Sequence, residues 1–298
     1  MARFIPAGTH TALVTPFCDD TDRSLDLAAL RRLVEQQIAG GVDGLVACGT
    51  TGETATLTSD EYETVVGTVV QAAAGRVPVI AGVGSNSTAK TLATTRTACG
   101  LGVDGVLVVT PYYNKPTQAG MKEHFVQVAQ AATVPVVLYN VPGRTGVNLL
   151  PATVAELAKH PNIVALKEAA GSLEQIQETV RLTDFGFAVL SGEDALCVPT
   201  YAVGGRGVIS VVSNVAPART AALWRDFSAG RADAAAHGQV DLLPLIKALF
   251  SEPNPQPAKM AMHLLGLMTP VCRLPLIAAT DPTRAALQVE MRRLGLLG

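Results

Sequence analysis

Residues 134–167 read VPVVLYNVPGRTGVNLLPATVAELAKHPNIVALK. Two short apolar runs, 134–139 and 163–167, flank a stretch at 151–160 whose apolar residues recur at helical spacing. Neither run alternates apolar with polar side chains. Strands of a parallel sheet read this way, because both faces are covered. The same unit recurs along the chain. Apolar runs rich in Val, Ile and Leu lie at 11–14, 44–48, 77–82, 105–109, 134–139, 163–167, 187–190 and 207–212, each bounded by Gly, Pro or Asp.

Amphipathic stretches separate these runs, at 25–39, 59–74, 87–99, 120–132, 151–160 and 172–182. In the first of them Leu27, Leu30, Val34 and Ile38 share a face. Thr58 or Ser59 ahead of Asp60-Glu61, and Ser172 ahead of Glu174, are helix starts. The spacing from run to run is mostly ~20 to ~35 residues, one βα unit. Eight such units predict an α/β fold, a (β/α)8 TIM barrel with right-handed crossovers. An open doubly wound sheet is the alternative, and its mark would be a Gly-rich dinucleotide loop after the first strand. Gly82-Val83-Gly84 begins such a pattern, but it follows the third run and position 87 is Ser87.

The barrel accounts for residues 1–224. Residues 225–298 carry no strand signal and read as a C-terminal helical extension packed on the barrel, broken at SEPNPQP (251–257) and near Leu274-Pro275. With 48% hydrophobic and 16% charged residues in 298, the chain has ample core and too little charge for long disorder or a coiled coil. A net charge of -2 and a pI near 6.2 argue against a nucleic-acid partner. No apolar run approaches the ~18 residues of a membrane span. The amino terminus has no apolar leader region. Five scattered cysteines (Cys18, Cys48, Cys99, Cys197, Cys272) without C-x-x-C fit reduced thiols. These features point to a cytoplasmic protein. The five histidines show no metal-ligand spacing, so no metal site is expected.

Barrel sites form at the carboxyl ends of the strands. There the runs end in Gly49-Thr50-Thr51-Gly52-Glu53, Thr110-Pro111-Tyr112-Tyr113-Asn114, Tyr139-Asn140-Val141-Pro142-Gly143-Arg144, Lys167-Glu168 and Ser191-Gly192-Glu193-Asp194. The rim is rich in hydroxyls and poor in paired acids, which argues against glycosidase chemistry. Of seven lysines, Lys167 alone ends an apolar run. Burial disfavours its ammonium form, and a neutral amine attacks a ketone to form a Schiff base. The competing reading has Lys167 reaching to water or pairing with Glu168. Tyr139 ends the neighbouring run one unit earlier. It is either a proton shuttle for that chemistry or a core tyrosine with a satisfied hydroxyl. The 49–53 loop offers N–H groups and hydroxyls to an anion, or is simply a tight turn. Arg144 is a fork for a substrate carboxylate, or a surface ion-pair partner.

The motifs GTTGETATL (49–57), VIAGVGSN (79–86), VTPYYNKP (109–116), LYNVPGRTG (138–146), ALKEA (165–169), LSGED (190–194) and GVISV (207–211) together resemble the dihydrodipicolinate synthase family of pyruvate-dependent class I aldolases, from about residue 8 to 297. The resemblance implies a lyase without cofactor that condenses pyruvate with L-aspartate 4-semialdehyde. It implies that Lys167 forms the Schiff base and that Tyr139 donates and accepts the proton. It makes Thr50 the link from Tyr139 to Tyr113, with Tyr113 lent by a neighbouring subunit of a homotetramer built as a dimer of dimers. It gives Thr51 the pyruvate carboxylate and Arg144 the carboxylate of the aldehyde, and it lines the pyruvate site with the backbones of Gly192 and Ile209. Sialate lyases share Lys167 and Tyr139, but resemble G-S-T-G-E at the first motif and usually lack the arginine. Two departures stand out. Members inhibited by lysine bind it through Asn86, Tyr112, two histidines and a glutamate; here Ser59, Tyr62 and Lys90 stand at the last three positions, which implies weak or absent inhibition. Ala170 replaces a hydroxyl residue common after K-E-A, with no consequence we can attach to it.

Overall fold

The computed structural model describes residues 4–184 and 186–298, so residues 1–3 and 185 of the expected 1–224 unit lie outside the described residues. Eight strands, β1 (Gly8–Ala12), β2 (Gly44–Ala47), β3 (Val79–Gly82), β4 (Gly105–Val109), β5 (Val136–Asn140), β6 (Ile163–Glu168), β7 (Ala188–Ser191) and β8 (Gly207–Ser210), are all parallel and pair in sequence order. β8 pairs back to β1 and closes the barrel.

Helices α1 (Leu27–Ala39), α2 (Ser59–Ala73), α3 (Thr88–Gly100), α4 (Gln118–Ala131), α5 (Pro142–Thr145), α6 (Pro151–Leu157), α7 (Leu173–Leu182), α8 (Cys197–Ala202) and α9 (Pro217–Ser228) connect and surround the strands. Five of them, α1, α2, α3, α4 and α7, start at a side-chain cap. The Thr58 hydroxyl accepts from Glu61 N while Glu61 accepts from Thr58 N, a complete capping box. Ser172 accepts from Gln175 N at 3.1 Å. Two apolar layers result. Val46, Ile80, Leu107, Val137, Leu190 and Ile209 are among those that fill the barrel interior. A larger layer lies between barrel and helices.

Several strand ends differ from the hydropathic reading, and at three of them the cause is visible. β1 starts at Gly8, not at 11, because the polar Thr9 and His10 are buried. Thr9 N donates to the Asp43 carboxylate at 2.7 Å. β5 starts after Pro135, which has no N–H for the ladder. β8 stops at Ser210, because the next backbone N–H groups, of Val211 and Val212, donate to the Asp194 carboxylate instead.

The expected boundary at 224/225 falls inside α9. Beyond it come α10 (Ala232–Leu249), α11 (Gln256–Leu264) and α12 (Asp281–Arg293), and among the described residues no strand follows β8. None of these helices is long and apolar enough to cross a membrane, among the described residues. The five cysteines are unpaired.

Candidate active site

The rim at the carboxyl ends of the strands carries the polar residues that hydropathy singled out. Tyr139 on β5 and Lys167 on β6 are direct register partners. Side chains alternate across a strand, so both point into the barrel with Val137 and Ala165 below them. The Lys167 amine sits 4.3 Å from the centre of the Tyr139 ring. Lys167 is 6% exposed and Tyr139 is 7% exposed.

Burial lowers the Lys167 pKa from its usual value to about 8, helped by the positive charge of Arg144 and opposed by the carboxylate of Asp194. A measurable fraction of the amine is therefore neutral near pH 7. Burial raises the Tyr139 pKa, so its phenol keeps its proton, and the Thr50 side chain lies close enough to oppose part of that rise. Lys167 forms no ion pair among the described residues. The chain's other deeply buried lysine, Lys259, is paired with Glu53.

The pairing of Lys167 with Glu168 does not occur. Glu168 points to the opposite face of β6, where its carboxyl accepts from Asn140 Nδ2 at 2.9 Å, Gln175 Nε2 at 3.0 Å and Ala170 N at 2.9 Å. Burial pushes this carboxyl up to about 7. Gly192 follows β7 so closely that a Cβ there would lie 3.2 Å from Lys167 Cε and 2.7 Å from the Ala169 side chain. Ile209, fully buried on β8, completes the interior wall.

Thr50 and Thr51 lie in a 3-10 turn (Thr50–Gly52) that follows β2. Thr51 is buried and its hydroxyl accepts from Asn254 Nδ2 at 2.9 Å. Arg144 lies in α5, largely exposed, and its guanidinium donates to the Asn254 backbone carbonyl at 3.4 Å. Lys167, Tyr139 and Thr50 thus form one group, and Thr51 and Arg144 a second, joined through Asn254. Tyr113 stands apart from both. It is 87% exposed, with a φ of 72° in the left-handed region.

Two residues at the rim escaped the sequence reading of roles. Asp194 is fully enclosed, accepts from the Ser210 hydroxyl and from Val211 N at 2.9 Å, and acts electrostatically on Lys167. Asn254 sits in the proline-rich break of the extension, where only its place between two prolines marked a fixed backbone. Among the described residues, no group of three or more His, Cys, Asp and Glu is placed to hold a metal ion.

A family model described as the dihydrodipicolinate synthetase family matches residues 5–294. The 4-hydroxy-tetrahydrodipicolinate synthase of Syntrophus aciditrophicus is 49% identical over 291 residues, covering 98% of this chain and 99% of that one. The crystal structure of dihydrodipicolinate synthase from Thermotoga maritima superposes with a TM-score of 0.96 at 44% identity, covering 99% of this chain and 100% of that chain. A structure of the synthase from Cyanidioschyzon merolae with lysine bound superposes with a TM-score of 0.94 at 42% identity, covering 98% and 99%.

Proposed function

This chain belongs to the dihydrodipicolinate synthetase family, and from that premise we propose that it condenses pyruvate with L-aspartate 4-semialdehyde to give 4-hydroxy-tetrahydrodipicolinate, on the route to diaminopimelate and lysine. The observation that carries this reading is the buried Lys167 amine, its pKa lowered to about 8, facing the protonated Tyr139.

Neutral Lys167 attacks the pyruvate ketone, and loss of water leaves an imine. A methyl proton of the imine is lost, giving an enamine. Its carbon attacks the semialdehyde carbonyl, whose oxygen takes a proton. The amine of that substrate then displaces Lys167 by transimination and closes the ring, so one water is released over the cycle. Tyr139 moves the protons, with the Thr50 side chain beside its phenol. Thr51 holds the pyruvate carboxylate and Arg144 that of the semialdehyde, as a charged fork suits. The backbones of Gly192 and Ile209 line the pyruvate site.

We also propose a catalytic barrel over 1–224 and a C-terminal helical region over 225–298, sharing α9 at their boundary. The assembly is a homotetramer, a dimer of dimers in which Tyr113 is lent to a neighbour's Thr50. The 87% exposure of Tyr113 supports this, because it leaves the ring free to reach a second copy. A cytoplasmic location agrees with five unpaired cysteines.

Incubation with pyruvate and borohydride, followed by peptide mass mapping, tests the reading. A reduced adduct on Lys167, together with turnover of L-aspartate 4-semialdehyde and none of N-acetylneuraminate, supports it. Turnover that survives Lys167→Ala overturns it.

A further inference from the structure

We propose that Asn254 is a positioning residue that makes the C-terminal extension part of the substrate site. It fixes the direction of the Thr51 hydroxyl with its side chain and steadies Arg144 with its backbone. The inference rests on the reading of Thr51 and Arg144 as carboxylate-binding groups.

Asn254 is 6% exposed and lies 203 residues from Thr51 and 110 from Arg144. Its Nδ2 donates to Thr51 Oγ1 at 2.9 Å. A hydroxyl that accepts there has its own proton free to donate elsewhere. Asn254 therefore presents Thr51 to the site as a donor, which is what a carboxylate requires. Its carbonyl accepts from Arg144 Nη2 at 3.4 Å and holds the guanidinium at the same rim. A second clamp secures the two segments. Lys259, five residues after Asn254, is ion-paired with Glu53, two residues after Thr51, and donates to the Val271 carbonyl at 3.0 Å. Glu53 also accepts from Arg273 N at 2.9 Å. The 51–53 turn is thus held to the extension at both ends.

The two roles of Asn254 separate by experiment, because Asn254→Ala removes the side-chain bond and keeps the backbone carbonyl. The amount of borohydride-trapped adduct on Lys167 is measured against pyruvate concentration for the wild type, Asn254→Ala, Asn254→Asp, Thr51→Val and the Thr51→Val/Asn254→Ala double variant. Half-saturation by the semialdehyde is measured in turnover. Asn254→Ala is expected to raise half-saturating pyruvate about tenfold and to leave half-saturating semialdehyde unchanged. Asn254→Asp, of the same shape, raises it further, because the carboxylate accepts the Thr51 proton itself and sets a negative charge beside that of pyruvate. With Thr51→Val already in place, Asn254→Ala adds nothing. Unchanged pyruvate saturation in both Asn254 variants, or full additivity with Thr51→Val, overturns the inference. So does an equal loss for both substrates, the mark of a merely structural role. A wild type that traps no pyruvate overturns the proposed function, and this inference with it. A wild type that traps pyruvate, with variants indistinguishable from it, overturns this inference alone.

Discussion

Tyr139 and Lys167 face one another across β5 and β6 as register partners, with the lysine amine 4.3 Å from the centre of the tyrosine ring. The phenol therefore lies beside the first atoms of any imine formed on Lys167, while the amine needs no help from it to attack. Tyr139→Phe is expected to retain the pyruvate adduct in borohydride trapping. Turnover is expected to fall by about 10²- to 10⁴-fold, the usual worth of a positioned proton donor. A variant that loses trapping and turnover together would show that Tyr139 shapes the pocket rather than moving protons.

Lys167 also sets a pH dependence with a definite sign. Its folded pKa, about 8, lies below the usual value of 10.5. The neutral fraction, and with it the initial rate of trapping at subsaturating pyruvate, is expected to rise with pH and level off above about 8. The same shift costs stability. Below pH 8 the amine is charged in both folded and unfolded chains, and the full cost of burying that charge is present. The cost shrinks between pH 8 and 10.5, where the unfolded chain holds the extra proton. Lys167→Met, which keeps the stem and drops the charge, is expected to abolish turnover and to stabilise the fold at pH 7 by on the order of 2 kcal/mol in urea unfolding. A destabilised Lys167→Met would mean that the amine is better compensated than its surroundings indicate.

The barrel was legible because its signal is repeated. Eight non-alternating runs at regular spacing leave few topologies open, and small errors at strand ends do not change the count. Those errors have physical causes. Hydropathy cannot detect a strand that opens with Thr9 and His10, because their burial depends on barrel closure. Lys167 and Tyr139 were visible as strand-end residues one βα unit apart, which register turns into contact. Asn254 was not. Its role depends on a segment 203 residues downstream folding back over the Thr51 turn, and no local pattern encodes that approach. The direction of Glu168 was equally hidden until alternation along β6 was fixed by Lys167 facing inward.

Lys90, where the resemblance implies a glutamate in lysine-inhibited members, is exposed near the start of α3. Tyr62 is 7% exposed, and its buried hydroxyl has no hydrogen-bond partner among the described residues, so it offers little to a surface ligand. The Asn86 carbonyl is already engaged, accepting from Asn114 Nδ2 at 2.8 Å. An ammonium at position 90 repels that of a lysine ligand. Lysine is expected to inhibit turnover weakly or not at all. Half-maximal inhibition at micromolar lysine would refute this.

The clamp between the extension and the barrel has an acid-sensitive member. Arg273 donates to Glu61 from Nη1 at 2.7 Å and Nη2 at 2.5 Å, and its guanidinium lies 4.4 Å from the centre of the Phe17 ring. Arg273 holds the Glu61 carboxyl down at about 2, well below its ordinary 4.5. A depressed carboxylate pKa means that the folded chain binds fewer protons than the unfolded chain between those values. The stabilisation is therefore fully present above about pH 4.5 and is lost as pH falls through about 2. Glu61 is 24% exposed on its side chain, so solvent screening reduces the gain. Glu61→Gln also loses half of the paired fork and is expected to cost about 1–2 kcal/mol at pH 7. Urea melts of the wild type and this variant should converge as the pH is lowered toward 2. A gap that stays constant across that range would assign the effect to packing against Phe17 rather than to charge.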